Sequence, residues 1–163
     1  MILVADSSAL IALSVCEGLG YLEPLFGEVY VPMAVYRETC AADKPEAPAL
    51  RAFLQDKVRE VDLTGYVYLD AFADVGETEA MVLYKQLRAN RLLIDDQRGR
   101  KIAQLNHIQI IGSVGVLLRA KKAGLLPTVS AALHKIQQSR VYLGPDLIAA
   151  VLKLAGETDE TPE

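Results

Sequence analysis

The chain has 163 residues, 52% hydrophobic and 23% charged, with a formal net charge of −4. These values suit one domain with a substantial core and exclude disorder for most of the length, leaving residues 156–163 as a flexible acidic tail. The acidic balance argues against a broad basic footprint on nucleic acid, an objection that weakens if carboxylates hold divalent cations that meet the phosphate.

In chain order, Met1 to Ala5 is a short apolar run ending at Asp6, and Ser7 and Ser8 precede the helix-forming Ala9 to Leu13. A Gly-rich turn at Gly18 and Gly20 leads to the β-branched and aromatic Val29-Tyr30-Val31, and Pro32 is suited to open a helix over Met33 to Cys40. Asp43 to Pro48 reads as a loop, Ala49 to Asp56 as helix and Val58 to Leu63 as strand. The next helix starts near Gly76 and runs to Leu87, and the strand Arg91 to Ile94 stops at Asp95 and Asp96. Lys101 to Leu105 is helical, Ile108 to Ile111 a strand and Ser113 to Ala123 a helix. Gly124 to Pro127 breaks the chain before two helical segments, Thr128 to Ser139 and Pro145 to Ala155, that would cover the sheet or pair with another subunit. Short apolar strands alternating with helices imply βαβ units, hence an α/β fold: a three-layer sandwich around a mainly parallel sheet. The expected domain spans 1–155, with a core over about 1–125 and a helical extension over 128–155.

Cys16 and Cys40 lie in no metal-binding or disulfide spacing and read as inert thiols. The N-terminal apolar stretch lacks a charged leader and is interrupted by Asp6, so neither a secretory signal nor a membrane span is expected and the protein is placed in the cytoplasm.

In an open parallel sheet, ligands bind beyond the carboxyl ends of the strands, and Asp6 and Asp95 both end one. Asp6 is equally suited to cap the following helix, with Ser8 as a competing cap. Glu38 falls in the second turn of its helix, where a solvated acid is the ordinary reading. Glu77 and Glu79 fall in a first turn, where the helix dipole favours acids. Gathered at one edge, however, such carboxylates repel one another and are tolerated mainly with hard cations such as Mg²⁺ or Mn²⁺ bound through oxygen. Such ions ready a water and stabilise the leaving oxygen of a phosphodiester.

Four stretches in order, Val4-Ala5-Asp6-Ser7-Ser8, Val31-Pro32 to Tyr36-Arg37-Glu38, Gly76-Glu77-Thr78-Glu79-Ala80 and Leu92-Leu93-Ile94-Asp95-Asp96 with Arg98, Arg100 and Ala103, resemble the PIN domain family, in particular its members related to VapC-like toxin ribonucleases. The resemblance covers about residues 1 to 125. It implies a Rossmann-like, Mg²⁺- or Mn²⁺-dependent endoribonuclease with Asp6, Glu38, Glu77 and Asp95 as catalytic metal ligands. Strand-end position favours Asp95, with Asp96 as co-ligand or support. Ser8 resembles a hydroxyl that orients the first acid or meets phosphate. The helix acid is often Asp in the toxins, so Glu77 is a departure and Glu79 a close substitute. Arg98 and Arg100 are suited equally to substrate phosphate and to pairing with Asp95 or Asp96. The toxin relatives imply a small antitoxin partner and a homodimer.

A haloacid-dehalogenase-type phosphotransferase would want a second Asp two residues after the first, where Ser8 stands, and a receiver domain an acidic pair near the first strand. The remaining alternative is a non-catalytic PIN-like module that binds RNA or protein without assembling metal.

Overall fold

A computed structural model describes residues 1–41, 43–64 and 74–158. The elements are β1 (Ile2–Ala5), α1 (Ser7–Val15), a 3-10 turn (Leu19–Tyr21), α2 (Leu22–Phe26), β2 (Glu28–Pro32), α3 (Met33–Thr39), α4 (Ala47–Leu54) and β3 (Val58–Arg59). They continue with α5 (Val75–Leu87), β4 (Arg91–Leu93), α6 (Gln97–Leu105), β5 (Ile110–Ile111), α7 (Ser113–Lys122), α8 (Val129–Gln137) and α9 (Pro145–Leu154).

Among the described residues the sheet has five strands in the order β3-β2-β1-β4-β5, every pair parallel. The chain winds outward from β1 through β2 to β3, then restarts on the other side of β1 with β4 and β5. The direction of winding therefore reverses between β1 and β4, and the carboxyl ends of those two strands flank the crevice where doubly wound sheets bind ligands.

Side-chain alternation along the central strands builds two cores. Leu3 and Ala5 of β1 and Leu93 of β4 join Leu10, Leu13, Leu50, Leu117 and Leu133 from the helices on one face. Val4, Leu92 and Ile94 face the other way and pack with Ala80, Met81 and Leu83 of α5 and Ala103 of α6. Helices on both faces make the fold a three-layer α/β sandwich. Among the described residues, no single helix is long and apolar enough to cross a membrane.

The strand expected from Ile108 starts at Ile110, the helix expected over Ala49 to Asp56 runs over Ala47–Leu54, and three further boundaries depart from the sequence reading. The expected Gly-rich turn contains a 3-10 turn and α2, because Leu22 and Phe26 stand one helical turn apart and both bury their side chains. The strand expected over Val58 to Leu63 ends at Arg59, since only Val58 and Arg59 find partners, at Val31 and Pro32 on β2. The helix expected from Lys101 begins at Gln97, because Asp96 caps it by accepting from the Gly99 amide at 2.7 Å.

The acidic tail also needs correction where it leaves α9; residues 159–163 lie outside the described ones. Glu157 accepts hydrogen bonds from Lys121 Nζ at 2.8 Å and from the amides of Val129 and Ser130 at 2.8 and 3.0 Å. It closes the open N-terminus of α8 and ties α7, α8 and the end of α9 together. Burial opposes ionisation of Glu157, but the Lys121 hydrogen bond and the two amides outweigh it and bring its pKa down from 4.5 to about 2. Its contribution to stability is therefore complete above the ordinary glutamate value and disappears as pH falls towards 2. Glu157→Gln should cost about 1–3 kcal/mol at neutral pH, and the gap from wild type in denaturation should close between about pH 4.5 and 2.

Candidate active site

Asp6 continues β1 by one residue, with extended backbone (φ −97°, ψ 163°), before the chain turns into α1. Its amide donates to the Leu93 carbonyl at 2.8 Å, which ties the ends of β1 and β4 together. The residue is only 3% exposed, and although Asp6 stands at the N-cap position of α1 its side chain makes no cap hydrogen bond; Ser8 instead bonds to Asp6 and to the Asp95 amide.

Glu77 reaches the same edge from α5. Asp74 and Glu77 form a reciprocal capping box, the Glu77 amide donating to Asp74 Oδ1 at 2.7 Å and the Asp74 amide to Glu77 Oε2 at 3.2 Å. Glu38 arrives from α3, where Ser7 Oγ donates to its Oε2 at 2.8 Å. Two glycines let these carboxylates lie flat against backbone. A Cβ on Gly76 would stand 2.9 Å from Glu38 Oε2, and one on Gly99 would stand 3.1 Å from Glu77 Oε1 and 2.7 Å from Ile94 Cδ1. α3 thus brings Glu38, and the first turns of α5 and α6 bring Asp74, Glu77 and Asp96, around the end of β1.

The electrostatics follow from that gathering. Burial raises the Asp6 pKa from 3.8 to about 7; the Ser7 amide pulls it back, and the charges of Glu77, Asp74 and Glu38 add to the rise. Burial likewise lifts Glu77 from 4.5 to about 7, against the Asp74 amide, while the neighbouring carboxyls of Asp74 and Asp96 raise it further. Among the described residues no lysine, arginine or histidine forms an ion pair with any of these five acids.

The other expected residues divide. Ser8 Oγ sits between Asp6 Oδ2, at 3.4 Å, and the amide of Asp95, from which it accepts at 3.2 Å. Asp95 itself turns away: its carboxylate accepts from the Ser113 amide at 2.7 Å and Ser113 Oγ at 2.6 Å, holding the start of α7. The member of the acidic doublet that faces Glu77 is Asp96. Strand-end position favours Asp95, but its carboxylate is engaged by Ser113, and Asp96 is the one that neighbours Glu77. Glu79 accepts from the Ala34 amide at 3.2 Å at the start of α3 and supports that helix. Arg98 and Arg100 pair with neither Asp95 nor Asp96. Arg98 is exposed, and Arg100 lies half-buried against Gly112 beside Asp95.

Two residues were missed. Asp74 was legible as the first member of an Asp-x-x-Glu capping box at Asp74-Val75-Gly76-Glu77. Ser7 had no such signal, because a serine after a strand-end acid looks the same whether it caps a helix or reaches another carboxylate.

A model of the PIN domain family DUF3368 matches residues 2–157. The chain belongs to the PIN domain family. No curated protein matches it. The match runs through α8 and α9, so the helices beyond Lys122 are part of this PIN domain. Members of this family are nuclease-type modules that typically use divalent metals.

The donor set of this PIN domain fits such a metal: oxygen ligands only, with two of the acids buried and no cation paired to them among the described residues. Among the described residues, however, no group of three acids, histidines or cysteines converges closely enough to make a finished cage. Glu38 and Asp96 are solvent-exposed and stand at the rim.

Because the folded protein binds protons at Asp6 and Glu77 that the unfolded chain releases, stability without metal falls as pH rises from about 4 to 7. Asp6→Asn should therefore raise Tm by several degrees at pH 8 in metal-free buffer, since ~1 kcal/mol moves Tm by roughly 2–4 °C in a domain of this size. The gain should vanish near pH 4. Equal melting of the two proteins at pH 8 would contradict the buried, repelled carboxylate.

Proposed function

We infer that the protein is a Mg²⁺- or Mn²⁺-dependent endoribonuclease that hydrolyses RNA phosphodiester bonds at the β1–β4 edge. The observation that supports this most is the pair Asp6 and Glu77, buried at the switch point of the sheet without a basic partner among the described residues, with Glu38, Asp74 and Asp96 around them. Asp6, Glu38, Glu77 and Asp96 would hold the metal, which when bound supplies a positive charge for the phosphate and lowers the pKa of water. Asp6 is the fixed member, immobilised by the bond from its amide to Leu93, and Ser7 orients Glu38. Asp74 holds Glu77 through the capping box and lends its charge to the site. Ser8 spaces Asp6 from Asp95, and Asp95 acts through Ser113 as support for α7. The finer reading, a toxin silenced by a small antitoxin and paired as a homodimer, draws on the resemblance of the sequence motifs.

A second reading, a module that binds RNA without cutting it, draws on the lack of a converged cage among the described residues. Incubation of purified protein with mixed single-stranded RNA decides between them. Metal-dependent cutting that EDTA and Asp6→Asn both abolish is the expected result, whereas RNA binding with no cutting in Mg²⁺ or Mn²⁺ selects the second.

The doublet gives a sharper check. Asp96→Asn keeps an acceptor for the Gly99 amide, so it should fold normally yet lose cleavage by roughly 100-fold or more, the scale for removing a group that shapes charge at a reacting centre. Asp95→Asn should retain cleavage within about tenfold and lower Tm instead, costing on the order of 1–2 kcal/mol for weakened bonds to Ser113. The opposite ranking in a rate assay would return the role to Asp95.

A further inference from the structure

A cleft of about 950 Å³ opens beside the acidic edge and shares Ser8, Asp95 and Asp96 with it. One wall is a single stripe of α6: Gln97, Arg100, Lys101 and Gln104 recur at helical spacing and line the cleft together. Neither Arg100 nor Lys101 is engaged in an ion pair among the described residues.

The rest of the lining comes mainly from the connector between α8 and α9 and the start of α9, where Asp146 adds a carboxylate. Val141 and Leu143 pack against the main core, and the Val141 amide donates to Ser139 Oγ at 3.0 Å. Arg140 Nη2 meets Glu46 Oε2 at 2.8 Å, which fixes the same connector to the start of α4. With both neighbours anchored inward, Tyr142 is left pointing outward, 82% exposed, on the rim of the cleft. A tyrosine ring presented to solvent on a pinned backbone offers an apolar face with only its side-chain torsions left to order on binding.

Unpaired cations and amides on one wall, with an exposed aromatic ring on the other, match the two surfaces of a single nucleic-acid strand: phosphates on one side, base faces on the other. We propose that this cleft seats the single-stranded RNA flanking the scissile bond, with Tyr142 stacking on a nucleobase and Arg100 and Lys101 meeting the backbone. The proposal rests on the nuclease reading above. It makes the C-terminal helices part of the substrate channel, where the sequence reading gave them only a covering or pairing role.

The test measures anisotropy of a short labelled oligouridylate bound to Asp6→Asn protein, which does not consume the probe. Adding Tyr142→Ala should weaken binding about tenfold or more, while Tyr142→Trp should bind within about threefold of the parent, because any flat aromatic ring serves. Arg100→Ala and Lys101→Ala should each reduce the slope of log affinity against log salt by about 0.7. Thermal melting checks that each variant is folded. Absence of binding by the parent, a Tyr142→Ala effect under twofold, or a Trp variant as weak as the Ala variant would overturn the proposal. Cleavage assays separate it from the nuclease reading. Unchanged KM in Tyr142→Ala with cutting intact removes the platform alone, whereas tight, Tyr142-dependent binding with no cutting in either Mg²⁺ or Mn²⁺ removes the nuclease alone.

Discussion

The ends of β1 and β4 are tied by the bond from the Asp6 amide to the Leu93 carbonyl, and that tie places a carboxylate where the winding of the sheet reverses. A carboxyl group so deeply buried resists ionisation unless a cation or a dense set of donors meets it. Here the neighbours are Glu77, Asp74 and Glu38, which add repulsion. The surrounding structure bears that cost through the packing of α5 and α6 on Val4, Leu92 and Ile94, which holds the acids in place from beneath. Everything at the edge depends on this arrangement: α3 presents Glu38 to Ser7, the capping box holds Glu77, and the bare backbone of Gly76 and Gly99 leaves room for the carboxylates.

Several polar contacts at the edge serve the scaffold and the site together. The Asp74–Glu77 box satisfies amides that α5 would otherwise leave open, and it also fixes the orientation of a buried acid. Asp96 caps α6 while its carboxyl faces Glu77. Asp95, one residue earlier, spends its acceptors on Ser113 and so positions α7 against the core of the opposite face. The two adjacent aspartates therefore carry different duties because consecutive residues leaving a strand point different ways.

Away from the acids, the C-terminal helices are integrated into the domain. Glu157 closes α8 and binds Lys121, and Val129, Ala132, Leu133, Ile136 and Val151 belong to the same core as β1 and α1. That integration holds the connector bearing Tyr142 beside the acidic edge, so the fold delivers an acidic edge and a mixed polar and aromatic cleft side by side.

The sequence by itself determined the layer architecture, because apolar runs ending in turn signals and alternating with helices leave little choice but a parallel sheet. It also determined that Asp6 ends a strand and that Glu38 and Glu77 lie on helices, since local periodicity sets those positions. Only the tertiary structure decided which acids meet. Whether Asp95 or Asp96 turns towards Glu77, whether Glu79 faces the site or the start of α3, and whether Ser7 reaches Glu38 depend on backbone direction after each strand and on contacts between residues far apart in the chain. The same holds for Tyr142, whose exposure follows from the anchoring of Val141 and Leu143, and for Glu157, whose partners lie 27 to 36 residues earlier. Such long-range pairings leave no local pattern, because they are selected by the packing of the whole domain.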